Sequence, residues 1–296
     1  MALSSSSIDT WVSASRPRTL PAAAAPVIIG TAMAIEAGGF HLLSCLAALI
    51  GALLIQIGTN FANDYYDFKK GADKGERLGP TRATQSGLVT PEAMRQAMFL
   101  IFGLAILVGV YLVWRGGWPI VIIGLSSVLF GILYTGGPYP LGYNGLGELF
   151  VLIYFGPVAV GGTYYVQTLD INSTVLIAGL APGLFSVAIL AVNNLRDINN
   201  DRRTGKRTLA VRFGDTFASY EYVLAITAAA FIPMVLWVVT QSHPLGMISI
   251  AALVIAVKPS VTVFAFTDGR QLNSVLSDTG RILLLYSILF SVGWLL

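Results

Sequence analysis

Cysteine, histidine and charge are all scarce in this chain. One cysteine, Cys45, lies in an apolar run, which excludes an internal disulfide and a cysteine-based metal site. The two histidines, His41 and His243, fall in short turns away from the charged segments, and no metal role is expected of either. Only 11% of the 296 residues are charged, against 55% hydrophobic. A soluble domain carries about 25% charged residues, so this chain cannot dress a water-facing surface and the bilayer is the implied solvent. Residues Met1–Trp11 lack the basic start and short apolar core of a cleaved signal, and Ser4–Ser7 with Arg16 and Arg18 do not extend into a transit peptide. This start is read as a short tail. Nothing in the charge pattern points to nucleic acid.

What is present is a series of apolar runs near the 20 residues that a spanning helix needs. They fall at 20–37, 42–62, 96–114, 118–135, 146–167, 174–194, 222–240, 244–266 and 279–296, which predicts an all-α membrane protein of about nine transmembrane helices. Lys258–Pro259 interrupts the run at 244–266, and Gly156–Pro157 and Pro182–Gly183 fall inside others. No linker or change of composition divides the chain, so residues 1–296 form one domain. With nine spans, every one of the 18 lysines and arginines except Arg115 falls at or near the same side. That asymmetry puts the N-terminus in the cytoplasm and the C-terminus outside. Trp114, Trp118 and Trp237 near span ends fit an interfacial belt.

Acidic residues are not needed for topology, yet they concentrate in two segments. The first, Asn60 to Lys74, begins while the second span is still helical, and Asn60, Asp64 and Asp67 are spaced i, i+4, i+7 on one face. The second, Asn193 to Thr208, repeats the pattern with Asn193, Asp197 and Asp201 at i, i+4, i+8. Both carry Asp-x-x-x-Gly, at Asp67–Gly71 and Asp201–Gly205, so the second and sixth spans end alike. Four carboxylates facing one another need cations between them. Oxygen-rich sites of this kind suit Mg²⁺, which takes one or two carboxylates together with substrate phosphate oxygens and water. Neighbouring basic residues would hold the remaining phosphate oxygens.

At Asn63-Asp64-Tyr-Tyr-Asp67 and Asp197-Ile-Asn-Asn-Asp201 the sequence resembles the UbiA superfamily of intramembrane aromatic prenyltransferases. Within it, Arg16-Pro-Arg-Thr-Leu-Pro21, Asn63 to Asp73, Asn193 to Asp201, Gly205 to Arg212 and Gly142-Tyr-Asn-Gly-Leu-Gly-Glu148 are most similar to the branch that prenylates 1,4-dihydroxy-2-naphthoate in menaquinone biosynthesis. Two departures from the broader family stand out. Gly71 sits where a third acid is often found, with Asp73 the nearest, and Tyr139–Pro140 lacks the lysine that follows in hydroxybenzoate enzymes.

The resemblance implies a bundle of about nine helices around a central cavity in a bacterial cytoplasmic membrane. A polyprenyl diphosphate would meet two Mg²⁺ ions held by Asp64, Asp67, Asp197 and Asp201 with Asn60. Asn63, Lys69, Lys70, Asn193, Lys206 and Arg207 would serve the diphosphate. Arg16, Arg18, Tyr139 and Glu148 would serve the aromatic acceptor, and Tyr65, Tyr134 or Tyr139 would wall the allylic cation. Loss of diphosphate and CO₂ would give demethylmenaquinone. Alternatives are another acceptor, such as homogentisate or a glyceryl phosphate, and an ion-coupled transporter. Transporters place ionisable groups near the bilayer midplane, whereas these acids sit at helix ends.

Overall fold

The computed structural model describes residues 5–71, 78–80 and 82–296. Twelve α-helices account for most of them, and no strand occurs among the described residues. The first half holds α1 (Ser5–Ser15), α2 (Pro21–Glu36), α3 (Leu42–Lys69), α4 (Pro91–Gly116), α5 (Trp118–Leu133) and α6 (Gly147–Tyr154). The second holds α7 (Pro157–Thr168), α8 (Ser173–Arg203), α9 (Leu209–Phe213), α10 (Asp215–Thr240), α11 (Ala252–Ala265) and α12 (Leu272–Leu295).

Seven segments are long and apolar enough to cross a bilayer, and the bent pair Ile8–Thr19 and Pro21–Glu36 makes an eighth candidate. The expected run at 118–135 appears as α5, whose 16 residues rise about 24 Å at 1.5 Å per residue. The run at 146–167 is one candidate span built of two helices. Pro157 cannot continue α6, so the chain turns at Gly156 and restarts as α7. The run at 244–266 also divides, into a 3₁₀ segment Pro244–Ala251 and α11, which carries Pro259 inside it. The start is not a plain tail: α1 packs Trp11 edge-on against Phe61 of α3, 5.6 Å between ring centres.

α8 is the most deeply buried candidate span and packs against α2, α6, α7, α10 and α12. Glycines make the closest approach possible. A Cβ on Gly179 would lie 2.7 Å from Cα of Pro157, so the break between α6 and α7 rests directly on the α8 backbone. Both α3 and α8 run past their apolar stretches into the charged segments. Both stop at a glycine in the left-handed region, Gly71 (φ 67°) and Gly205 (φ 77°), the usual means of closing a helix C-terminus. The two aspartate-bearing helix ends are therefore held at one end of the bundle by the same backbone device.

Candidate active site

Where the ends of α3 and α8 meet the connection from α5 to α6, they enclose a polar cavity of about 70 Å³. Asp67, Asp197 and Asp201 line it, with Asn63, Asn193, Asn194 and Asn200 and the cations Arg16, Arg82 and Lys206. Asp67 is the most heavily partnered. Arg82 Nη2 lies 2.5 Å from its Oδ2, and the Tyr143 hydroxyl donates to its Oδ1 at 2.6 Å. Lys206 Nζ stands 3.5 Å from Asp67 Oδ1 and 3.6 Å from Asp201 Oδ1, bridging the two matching helix ends. The Tyr143 ring lies beneath two ammonium groups, Lys206 at 4.6 Å and Lys70 at 4.9 Å from its centre. Burial pushes the Lys70 ammonium below its ordinary range, Asp67 pulls it back up and Lys206 adds to the lowering.

The second aspartate segment is held by Arg196. Its Nε and Nη2 grip both oxygens of Asp197 at 2.9 and 2.7 Å, Nη2 also reaches Asn193 Oδ1 at 2.7 Å, and Nη1 reaches Asn273 of α12 at 2.9 Å. The α3–α4 connection crosses above. A Cβ on Gly79 would sit 2.7 Å from Arg196 Nη2, and Asn273 Nδ2 donates to the carbonyl of Leu78.

Of the residues expected from the sequence, Asp67, Asp197, Asp201, Asn63, Asn193, Lys206 and Arg16 share this cavity. Asp64 does not line it: its carboxylate is buried and accepts the backbone N–H groups of Ala83 (3.0 Å) and Thr84 (3.2 Å), pinning the α3–α4 connection. Asn60 is turned to the start of the chain, where Nδ2 donates to Ser15 O at 2.9 Å. Lys69, Arg207, Arg18 and Tyr139 are exposed outside the cavity. Lys70 donates to the carbonyl of Thr135 at 2.8 Å, and Glu148 lies behind Asn194 rather than on the cavity wall. Asp73, Lys74 and Arg77 lie outside the described residues. Sequence reasoning missed Arg82, Tyr143, Asn194, Asn200 and Arg196 as site residues. The stretch Gly142–Glu148 and the run of asparagines contained the signal for three of them, whereas nothing around Arg82 marked it out.

Beside the polar cavity runs an apolar groove of about 420 Å³ between α2, α3, α4, α5, α6 and α7. Tyr134 lines both spaces. Its ring is wedged where side chains are missing: a Cβ on Gly142 would come within 2.9 Å of it, and one on Gly147 within 3.0 Å of its hydroxyl. Phe130, Phe150 and Tyr154 form an aromatic cluster in the groove, with centres 4.7 and 5.5 Å from Phe130.

Among the described residues, no three Asp, Glu, His or Cys side chains form a group able to hold a metal ion by themselves. The donor set nevertheless fits a hard divalent cation. It consists of carboxylate and carboxamide oxygens without sulfur or imidazole, and Mg²⁺ takes only one or two protein carboxylates when phosphate oxygens complete its shell.

A charged, oxygen-lined cavity opening beside an apolar groove in a helical bundle suits a substrate that carries a charged head group on a long apolar chain. Residues 23–288 match the UbiA prenyltransferase family, and the chain belongs to that family. Among curated relatives, it is 34% identical to 1,4-dihydroxy-2-naphthoate octaprenyltransferase of Haemophilus influenzae, covering 98% of this chain and 96% of the relative. It is 38% identical to the protein of the same name from Mycobacterium tuberculosis, covering 95% of each. The solved structure of a UbiA homolog from Archaeoglobus fulgidus bound to GPP and Mg²⁺ shares the fold, with a TM-score of 0.69 at 12% identity over 97% of this chain and all of that one. Family membership sets the transporter reading aside.

Proposed function

We propose that this protein transfers a polyprenyl group from an isoprenyl diphosphate to 1,4-dihydroxy-2-naphthoate. Diphosphate and CO₂ leave, and the product is demethylmenaquinol, the hydroquinone form of demethylmenaquinone, made for menaquinone biosynthesis. The observation that carries the reading is the near full-length likeness to two relatives bearing that name, joined to a cavity whose lining suits a diphosphate. The donor's apolar tail lies in the groove and its head group in the polar cavity, with the reacting carbon at their junction beside Tyr134.

Asp67, Asp197 and Asp201 are the ligands proposed for two Mg²⁺ ions, which when bound neutralise charge on the leaving diphosphate. Asp64 is proposed as a further ligand; its oxygens accept the Ala83 and Thr84 N–H groups, much as those of Asp67 and Asp197 accept donors from Arg82 and Arg196. Lys206, Arg16 and Arg82 already face the cavity and supply N–H donors to diphosphate oxygens. Lys70, one layer out on Tyr143, steadies that wall. As the allylic C–O bond breaks, its electron pair leaves with diphosphate, and the Tyr134 ring presents a π-face to the cation left behind. A ring carbon of the acceptor forms the new C–C bond, and the electrons of its bond to the carboxylate return to the ring as CO₂ departs. The overall step needs no outside proton or oxidant.

The proposed setting is a bacterial cytoplasmic membrane. The N-terminus lies inside, and α5 and the bent α1–α2 pair join the seven longer segments to make nine crossings. The test is a panel assay on purified protein: one polyprenyl diphosphate, Mg²⁺, and dihydroxynaphthoate, hydroxybenzoate, homogentisate or glyceryl phosphate as acceptor. Turnover of dihydroxynaphthoate alone is expected; turnover of another acceptor with none of this one would sink the assignment.

A further inference from the structure

The reaction accounts for every charged group on the cavity wall but leaves Glu148 with no direct part. This carboxylate is 9% exposed and sits in the first turn of α6, where the helix N-terminus favours negative charge. It does not line the cavity. Its Oε1 instead accepts the Asn194 amide at 3.0 Å, and Asn194, 7% exposed, does line it. The residue before Glu148, Gly147, carries the hydroxyl end of Tyr134.

A carboxamide has two faces, a donating NH₂ and an accepting C=O, and it can turn either way unless a neighbour decides. Glu148 Oε1 accepts the NH₂ of Asn194 at the rear, which leaves the carbonyl oxygen of Asn194 for the cavity. That matters beside Asp67, Asp197 and Asp201, whose oxygens would otherwise draw the NH₂ forward.

We infer that Glu148 is a positioning residue for the acceptor. It fixes Asn194 so that Oδ1 receives a hydrogen bond from a ring hydroxyl of a hydroxylated aromatic substrate. The inference rests on the prenyl-transfer reading, and it changes the part expected of Glu148 from touching the acceptor to acting through another side chain.

The test is a double-mutant cycle on the full chain, with the acceptor that the panel shows to be turned over. E148A is expected to raise KM for the acceptor about tenfold, the equivalent of one hydrogen bond to a charged group. KM for the prenyl diphosphate and kcat should stay within about twofold. E148Q keeps an accepting oxygen and should recover most of the loss. N194A should match E148A, and E148A/N194A should be no worse than N194A alone. A fall in kcat with unchanged acceptor KM, or losses that multiply in the double variant, would overturn the inference. If E148A does not fold, the exchanged pair E148Q/N194D restores the bond in reverse and should outperform N194D; no recovery counts against the inference. Lack of dihydroxynaphthoate turnover by the unmodified chain defeats the functional reading instead, so the two failures are distinct.

Discussion

Lys206 stands between two carboxylates that occupy matching places on different helices, and its ammonium also lies over the Tyr143 ring. Removing it leaves Asp67 and Asp201 without their shared cation and the diphosphate without one of its three donors. K206A should raise KM for the prenyl diphosphate at least about tenfold, as loss of a charge-assisted hydrogen bond does, with KM for the acceptor nearly unchanged. Asp64 and Asp67 are three residues apart and hold different partners. D67N should abolish turnover, and because it leaves buried Arg82 without its carboxylate it should lower the melting temperature as well. D64N loses one of the two oxygens that pin Ala83 and Thr84, at roughly 1–3 kcal/mol, and should lower the melting temperature of the whole chain. Full turnover by D67N, or unchanged melting in either variant, would count against these roles. At this scale the aspartates and asparagines were legible, because helical spacing puts them on one face whatever the rest of the fold does. Arg82 was not: it reaches Asp67 through a connection whose path depends on Asp64 holding it down. Side chains that arrive from loops leave no periodic mark.

Among the helices, tight backbone contacts are the exposed points. A methyl group on Gly179 would meet the Pro157 backbone, which cannot swing aside as a long side chain could. G179A should destabilise by about 1–3 kcal/mol, as overpacking does, measured as a lower melting temperature in detergent or nanodiscs. G142A acts differently, pressing on the Tyr134 ring from one side of the junction between cavity and groove. It should cut kcat more than it shifts melting, because the ring must move before a donor can sit properly. Hydropathy placed each apolar run in a helix, since bilayer-length segments must be helical to satisfy their own backbone. An apolar count ends at the polar residues; the helical spacing of the aspartates is what carries α3 and α8 on through Asp67 and Asp201, to Lys69 and Arg203. Hydropathy could not show that Gly156 turns the chain between α6 and α7, since the partner that permits the turn is a glycine of α8.

For the whole molecule, the proposed nine crossings put the two chain ends on opposite sides. The lone Cys45 makes a cysteine-free background a single substitution, C45S. Against it, R115C should react with an impermeant maleimide on intact cells, whereas R202C should react only after lysis. Labelling of both from outside would reverse or break the topology. The cavity wall adds a different kind of consequence. Its three aspartates and its three cations Arg16, Arg82 and Lys206 sum to zero formal charge. A site balanced in this way tolerates neither a bare diphosphate trianion nor a bare divalent ion, because each alone leaves uncompensated charge in a poorly solvated space. Entering together they offset one another: a trianion leaves a formal net charge of −1 with one Mg²⁺ and +1 with two, against −3 or +4 for either alone. Donor and metal should therefore be thermodynamically linked, each tightening the other by the same factor. Calorimetric titration of the donor with and without Mg²⁺, and of Mg²⁺ with and without a non-reactive donor analogue, should return that one factor twice.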